Sequence, residues 1–134
     1  MSAVIFGVFD RFHDGHLDCL TQASQLCATL IIILARDTQV EKLKGHLPWE
    51  NETVRMAELQ RLGYSVVLGD SVLGTYKVLK DINPDIIFIG YDQLGLKTDI
   101  ENKQKSNFIP SSISLKVLST SNPDVHTSTL YPRC

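Results

Sequence analysis

Ala3-Val4-Ile5-Phe6-Gly7-Val8-Phe9-Asp10-Arg11-Phe12-His13-Asp14-Gly15-His16 is the stretch of this 134-residue chain on which the fold reading turns. An apolar run passes through a loop into an amphipathic segment that starts at Leu17. The pattern predicts a buried strand over Val4 to Phe9 and a helix over Leu17 to Ala28, with Asp14 as its N-cap. Two histidines separated by Asp-Gly then stand at the seam between the first strand and the first helix. Imidazoles and free backbone N–H groups at a helix N-terminus favour negative charge. Gly15 lets a polyphosphate approach the backbone closely. The seam therefore reads as a phosphate-handling turn, against two plainer readings: a polar surface turn, or a pair of metal ligands. A metal centre needs further ligands at suitable spacing. His46 and His126 lie in unrelated loops, so no protein metal site is expected.

Outward from that seam, Leu30-Ile31-Ile32-Ile33-Leu34-Ala35 is a continuous apolar, largely β-branched run, as in a strand covered on both faces. Arg36 to Leu47 is polar and reads as a loop, with the basic Lys42-Leu43-Lys44-Gly45 at its centre. Asn51 caps a helix through about Leu62 that Gly63 ends. Tyr64 to Leu68 is a short strand, and Thr75 to Ile82 a helix stopped before Pro84. Asp85 to Gly90 is another apolar strand, Gln93 to Phe108 is polar and partly helical, and Ser114 to Leu118 is a last strand before a Ser/Thr-rich tail. Strands alternating with helices, the inner strands apolar throughout, predict an α/β fold: a parallel five-stranded sheet flanked by helices in one domain spanning residues 1–134. Ligands of such sheets bind beyond the carboxyl ends of the strands, at the topological switch point. Asp10 to His16, Arg36-Asp37 and Tyr91-Asp92-Gln93 all fall at such ends.

A net charge of −2 gives no ground for a nucleic-acid or acidic-membrane partner, so any anion site must be local. Cys19, Cys27 and Cys134 are odd in number and fit no metal or redox spacing. Cys19 and Cys27 read as small buried hydrophobes in a reducing compartment. With no secretory pattern and no apolar run of membrane-spanning length, a cytoplasmic protein is expected. Asn51-Glu52-Thr53 matches a glycosylation sequon and is read instead as a helix start.

Gly7-x-Phe9-Asp10 followed by His13-x-Gly15-His16 resembles the signature of the HxGH nucleotidyltransferase superfamily, which contains cytidylyltransferases and small adenylyltransferases. Ala35-Arg36-Asp37, Val40 to Gly45 with Lys44, Pro48, Arg55, and Pro84-Asp85-Ile86-Ile87 leading into Gly90-Tyr91-Asp92-Gln93 look most like its archaeal-type FMN adenylyltransferase (FAD synthetase) branch. The resemblance covers nearly the whole chain and implies a Rossmann-like fold. It also implies transfer of a nucleoside monophosphate from an NTP to a phosphorylated acceptor, with pyrophosphate released and Mg²⁺ or another divalent metal accompanying the NTP. ATP and FMN giving FAD is the preferred pair, with cytidylyl transfer to glycerol 3-phosphate or a similar ester as the alternative.

Residue by residue, the resemblance assigns Val8, Phe9, Asp10, His13, Asp14, Gly15, His16, Asp92, Thr127 and Ser128 to nucleotide binding. His13, His16 and Lys44 are assigned to catalysis, and Asp37, Lys44 and Arg55 to the acceptor. Relatives in the superfamily often form homodimers. The departure lies at Thr120 to Thr129: the hydroxyl run Thr127-Ser128-Thr129 is kept, the family's arginine has no counterpart, and only five residues follow. A non-catalytic nucleotide-binding module is therefore the reading from a different class.

Several residues keep plainer readings. Lys42 and Lys44 could solvate a loop. Arg55 could pair with Glu52 or Glu58 along its helix. Asp92 could be a turn residue, and Asp10 could orient the turn by accepting backbone N–H bonds. Trp49 is expected to pack rather than to stack on a flavin.

Overall fold

The computed structural model describes residues 2–10, 14–69, 76–90 and 94–118. Their elements run β1 (Ser2–Gly7), α1 (Asp14–Gln25), β2 (Thr29–Leu34), α2 (Asp37–Lys44), α3 (Glu52–Arg61), β3 (Ser65–Leu68), α4 (Lys77–Ile82), β4 (Ile86–Ile89), α5 (Leu94–Lys105) and β5 (Ser114–Val117). The five strands form one sheet in the order β3-β2-β1-β4-β5, and every pairing is parallel. This is the expected Rossmann-like α/β architecture. The order reverses between β1 and β4, which makes the crevice beyond their carboxyl ends the switch point.

Strand alternation divides the interior into two clusters. Ile5, Ile32 and Phe88 are in register across β1, β2 and β4. They belong to one face, with Cys19, Leu20 and Ala23 of α1 and Leu59 of α3. Val4 and Ile87 belong to the other, with Leu79 of α4 and Ile100 of α5. The apolar runs read from sequence as doubly covered strands are covered for this reason. No helix among the described residues is long and apolar enough to cross a membrane.

The segment expected to be a loop, Arg36 to Leu47, instead contains helix α2. Only Val40 and Gln39 of its described side chains are buried, so a short helix with one narrow interior contact leaves little apolar periodicity to read. Tertiary bonds hold its start: the Asp37 N–H donates to Glu52 Oε1 at 3.0 Å. Gly45 ends it in the left-handed region, φ 78°, and donates back to the Glu41 carbonyl at 2.8 Å.

Elsewhere the predicted signals act as expected. Asn51 Oδ1 accepts the Val54 N–H at 2.9 Å, and α3 gives way to Gly63 at φ 95°. Asn83 ends α4 in the left-handed region just before Pro84. Asp14 is the first helical residue of α1, so the helix begins earlier than the Leu17 expected.

Cys19 is buried, as expected, but it is disulfide-bonded rather than a free thiol. Cys27 is free and donates to the Ala23 carbonyl at 3.3 Å, and burial raises its thiol above the ordinary range.

Candidate active site

The carboxyl edge of the sheet is held together by polar side chains that bond mostly to backbone. Arg55 is the hub. It projects from α3 with its side chain fully buried, and its guanidinium spends four donor contacts. Nε donates to the Glu50 carbonyl at 3.0 Å. One terminal nitrogen donates to the carbonyls of Val8 at 2.8 Å and Ala35 at 2.9 Å. The other donates to Asp37 Oδ1 at 2.7 Å. Val8 follows β1 and Ala35 follows β2, so a single cation ties the ends of two neighbouring strands to the start of α2. The planar fork of arginine suits this, since its donors diverge at fixed angles.

Neither sequence reading of Arg55 anticipated that placement. Glu58 pairs with Arg61 instead, at 2.5 Å. Glu52 accepts the Asp37 N–H and stands 3.9 Å from Arg36. Asp37 and Arg55, both assigned to the acceptor by resemblance, are thus brought together as a pair. Arg36 joins the edge to β3, its Nε donating to the Gly69 carbonyl at 2.7 Å.

Asp10 does accept backbone N–H groups, though from another loop. Its two carboxylate oxygens take the N–H of Trp49 at 2.7 Å and of Glu50 at 2.9 Å. The β1–α1 turn is thereby fastened to the segment that leads into α3. Phe9, one residue before, is 1 % exposed with φ 50°. That backbone state costs a non-glycine residue about 1–2 kcal/mol, and such strain concentrates where a site needs it.

His16 sits on the first turn of α1, and its ring meets Phe9 edge-on at 5.3 Å between centroids. It is fully buried. A polar surface turn, the plainer reading, does not describe His16, whose ring is buried at the third position of α1. His13, Asp92, Thr127 and Ser128 lie outside the described residues, as do the side chains of Asp14, Lys44 and Leu94.

Trp49 does not pack as expected: it is 75 % exposed. The sequence reading gave no structural task to Glu52 or Arg36, whose partners lie on other elements.

Chemically, the N-terminus of α1 lies beyond the carboxyl end of β1, beside the switch point, and carries a buried imidazole in its first turn; a helix N-terminus so placed suits a polyphosphate. No three His, Cys, Asp or Glu side chains among the described residues converge as a metal cage.

Comparison with known proteins agrees with this geometry. A FAD synthase of Aciduliprofundum boonei is 41 % identical over 99 residues, covering 72 % of this chain and 65 % of that protein. One from Thermococcus sibiricus is 37 % identical over 103 residues, covering 72 % and 70 %. One from Methanosarcina mazei is 33 % identical over 125 residues, covering 92 % and 82 %. Among solved structures, a lipopolysaccharide core biosynthesis protein from Thermoplasma volcanium superposes with a TM-score of 0.78 at 27 % identity, covering 91 % of this chain and 98 % of that one. The family model described as cytidylyltransferase-like matches residues 4–130. With that model spanning nearly its whole length, the chain belongs to the cytidylyltransferase-like family.

Proposed function

We propose that this protein is a nucleotidyltransferase that joins the AMP moiety of ATP to FMN, forming FAD and releasing pyrophosphate. The observation that carries the reading is the likeness to several FAD synthases, at 41 %, 37 % and 35 % identity over 99, 103 and 103 residues. An oxygen of the FMN phosphate attacks the α-phosphorus of ATP, and the bond from that phosphorus to the oxygen bridging to the β-phosphate breaks. The nucleophile is already ionised at neutral pH, so no strong general base is needed. Catalysis is positioning and charge neutralisation.

Each part of the edge has a role in this scheme. The triphosphate lies against the N-terminus of α1, with His13 and His16 stabilising charge that grows on the leaving pyrophosphate. Phe9 fixes the ring of His16, so its donor is aligned before reaction. Asp92, Thr127 and Ser128 serve the nucleotide, and Lys44 neutralises the acceptor's phosphate. Magnesium bound by the phosphates supplies further charge neutralisation. Arg55 and Asp37 act by position, because the guanidinium is committed to carbonyls and to Asp37.

The test is a matrix of the four NTPs against FMN, glycerol 3-phosphate and related phosphate esters, with pyrophosphate release and product mass as readouts. FAD from ATP and FMN is the expected product. A product from CTP and glycerol 3-phosphate without FAD would replace the substrate assignment. Nucleotide binding without pyrophosphate release from any pair would make the protein a binding module.

A further inference from the structure

Phe9 is held in its left-handed backbone state from both sides. On its amino side, the Val8 carbonyl accepts from the buried guanidinium of Arg55 at 2.8 Å. On its carboxyl side, the two oxygens of the Asp10 carboxylate take the N–H groups of Trp49 at 2.7 Å and Glu50 at 2.9 Å. The two sides then meet, because Arg55 Nε donates to the Glu50 carbonyl at 3.0 Å. Val8, Phe9, Asp10, Glu50 and Arg55 thus close a ring of covalent and hydrogen bonds around the strained residue. A non-glycine residue at φ 50° keeps that conformation only where its surroundings over-determine it. The ring does so.

What the ring preserves is a contact. The Phe9 side chain is buried and meets the His16 ring edge-on at 5.3 Å between centroids. Freed from its tether on the carboxyl side, residue 9 would return to negative φ and carry its ring off the imidazole. Both Asp10 oxygens are taken up by backbone N–H groups, in charge-assisted bonds of the stronger kind. A carboxylate so committed is ill suited to ligate a nucleotide or its metal, the role that resemblance gives to this position.

We propose that Asp10 is a positioning residue for His16: through the ring it locks Phe9 in the left-handed state, and Phe9 in turn fixes the imidazole. The proposal rests on the reading of His16 as a donor to the leaving pyrophosphate. Asp10 therefore governs turnover without touching either substrate.

The test uses Asp10→Asn, in which an amide NH₂ group faces one of the two N–H donors, and Phe9→Leu, which removes the edge-on ring. Each is made alone and together with His16→Gln. Steady-state FAD formation gives kcat and the KM of ATP and of FMN, and NMR follows the imidazole signals of His16. Each single variant is expected to lower kcat roughly ten- to a hundredfold, the scale of a small misplacement near the chemistry. Both KM values should stay within about twofold, since substrate binding is not touched. In the His16→Gln background neither substitution should slow turnover by more than about twofold, because nothing is left to position. The His16 signals should move in Asp10→Asn, as the ring current of Phe9 leaves the imidazole.

Losses that multiply in the double variants, or a raised KM for ATP in Asp10→Asn, would give Asp10 a direct role and end the proposal while the reaction stands. A full kcat in Asp10→Asn would end it as well. Unmoved His16 signals in that variant would end it whatever the rates. Moved signals with no FAD from the wild type would keep the positioning and overturn the reaction. Should Asp10→Asn not fold, Asp10→Ser, whose hydroxyl keeps one acceptor, passes through the same cycle with the same outcomes.

Discussion

The two faces of the sheet solve different problems with the same strands. The face covered by α4 and α5 is built from aliphatic side chains: Val4, Ile33, Leu79, Ile87, Ile89, Ile100, Ile109 and Ile113 are its buried members. The face covered by α1 and α3 carries Phe9 and Phe88, and His16 and Arg55 are buried on those same two helices. Burial of branched aliphatics is non-directional and tolerates small changes of shape. A buried guanidinium must have nearly all its donors met, or it costs more than it contributes. The α4–α5 face is therefore a foundation, and the α1–α3 side is where geometry is specified. The lesson is that here buried polarity marks the side of a doubly covered sheet on which positions are held by directional bonds.

The contrast breaks most sharply at Arg55. Arg55→Ala leaves three carbonyls and a carboxylate without their donor, and is expected to lower the free energy of unfolding by about 3–5 kcal/mol. On the other face, Ile87→Val should cost about 0.5–1.5 kcal/mol. Denaturant midpoints for both variants check this, and equal losses would erase the distinction between the faces.

Next in size is His16→Gln, expected to lower turnover by about 10²- to 10³-fold, the range for removing a preorganised donor. Single-turnover FAD formation measures it. A full rate would reduce His16 to a packing group.

The smallest effect belongs to Tyr76, whose left-handed backbone starts α4 and whose hydroxyl donates to Asp99 on α5. Burial, together with the bond to Asp99 and its charge, pushes the phenol above its ordinary range. Tyr76→Phe should cost about 0.5–1.5 kcal/mol at neutral pH. The unfolded chain loses the phenolic proton near its ordinary pKa of 10.0, before the folded chain does. The stabilisation from Tyr76 is therefore full below that pH and fades as pH rises beyond it. Melting curves of wild type and Tyr76→Phe should converge at high pH; a constant gap would contradict the assignment.

How much of this was legible in the sequence follows from the range of each signal. The strands and the α/β order were, because Leu30 to Ala35 and Ile86 to Ile89 carry their burial in their own composition. The Asn51 cap was, because its partner is three residues away. Helix α2 was not, since its start depends on Glu52, fifteen residues on. Arg55 was noticed, but helical spacing offered it Glu52 and Glu58, whereas its carboxylate partner is eighteen residues away and its other acceptors are carbonyls. Carbonyls are present at every position and leave no mark in a sequence. Trp49 was expected to pack because tryptophan usually does; only the structure reveals its exposure. Backbone binding by Asp10 was the alternative to its nucleotide-binding assignment, and nothing local pointed to residues 49 and 50 as its partners.

The central place of β1 bears on how the molecule is made. β1 pairs with β2 through Ser2 and Thr29, but its other edge must wait for Ile86 to Phe88. Such distant pairings slow folding, because the loop they close is long before any contact rewards it. During synthesis the nascent chain holds an open, apolar strand edge until β4 emerges, which is a standing invitation to pair with another chain. The half-molecule β1–β3 should thus aggregate readily when expressed by itself, and addition of the segment that includes β4 should suppress this.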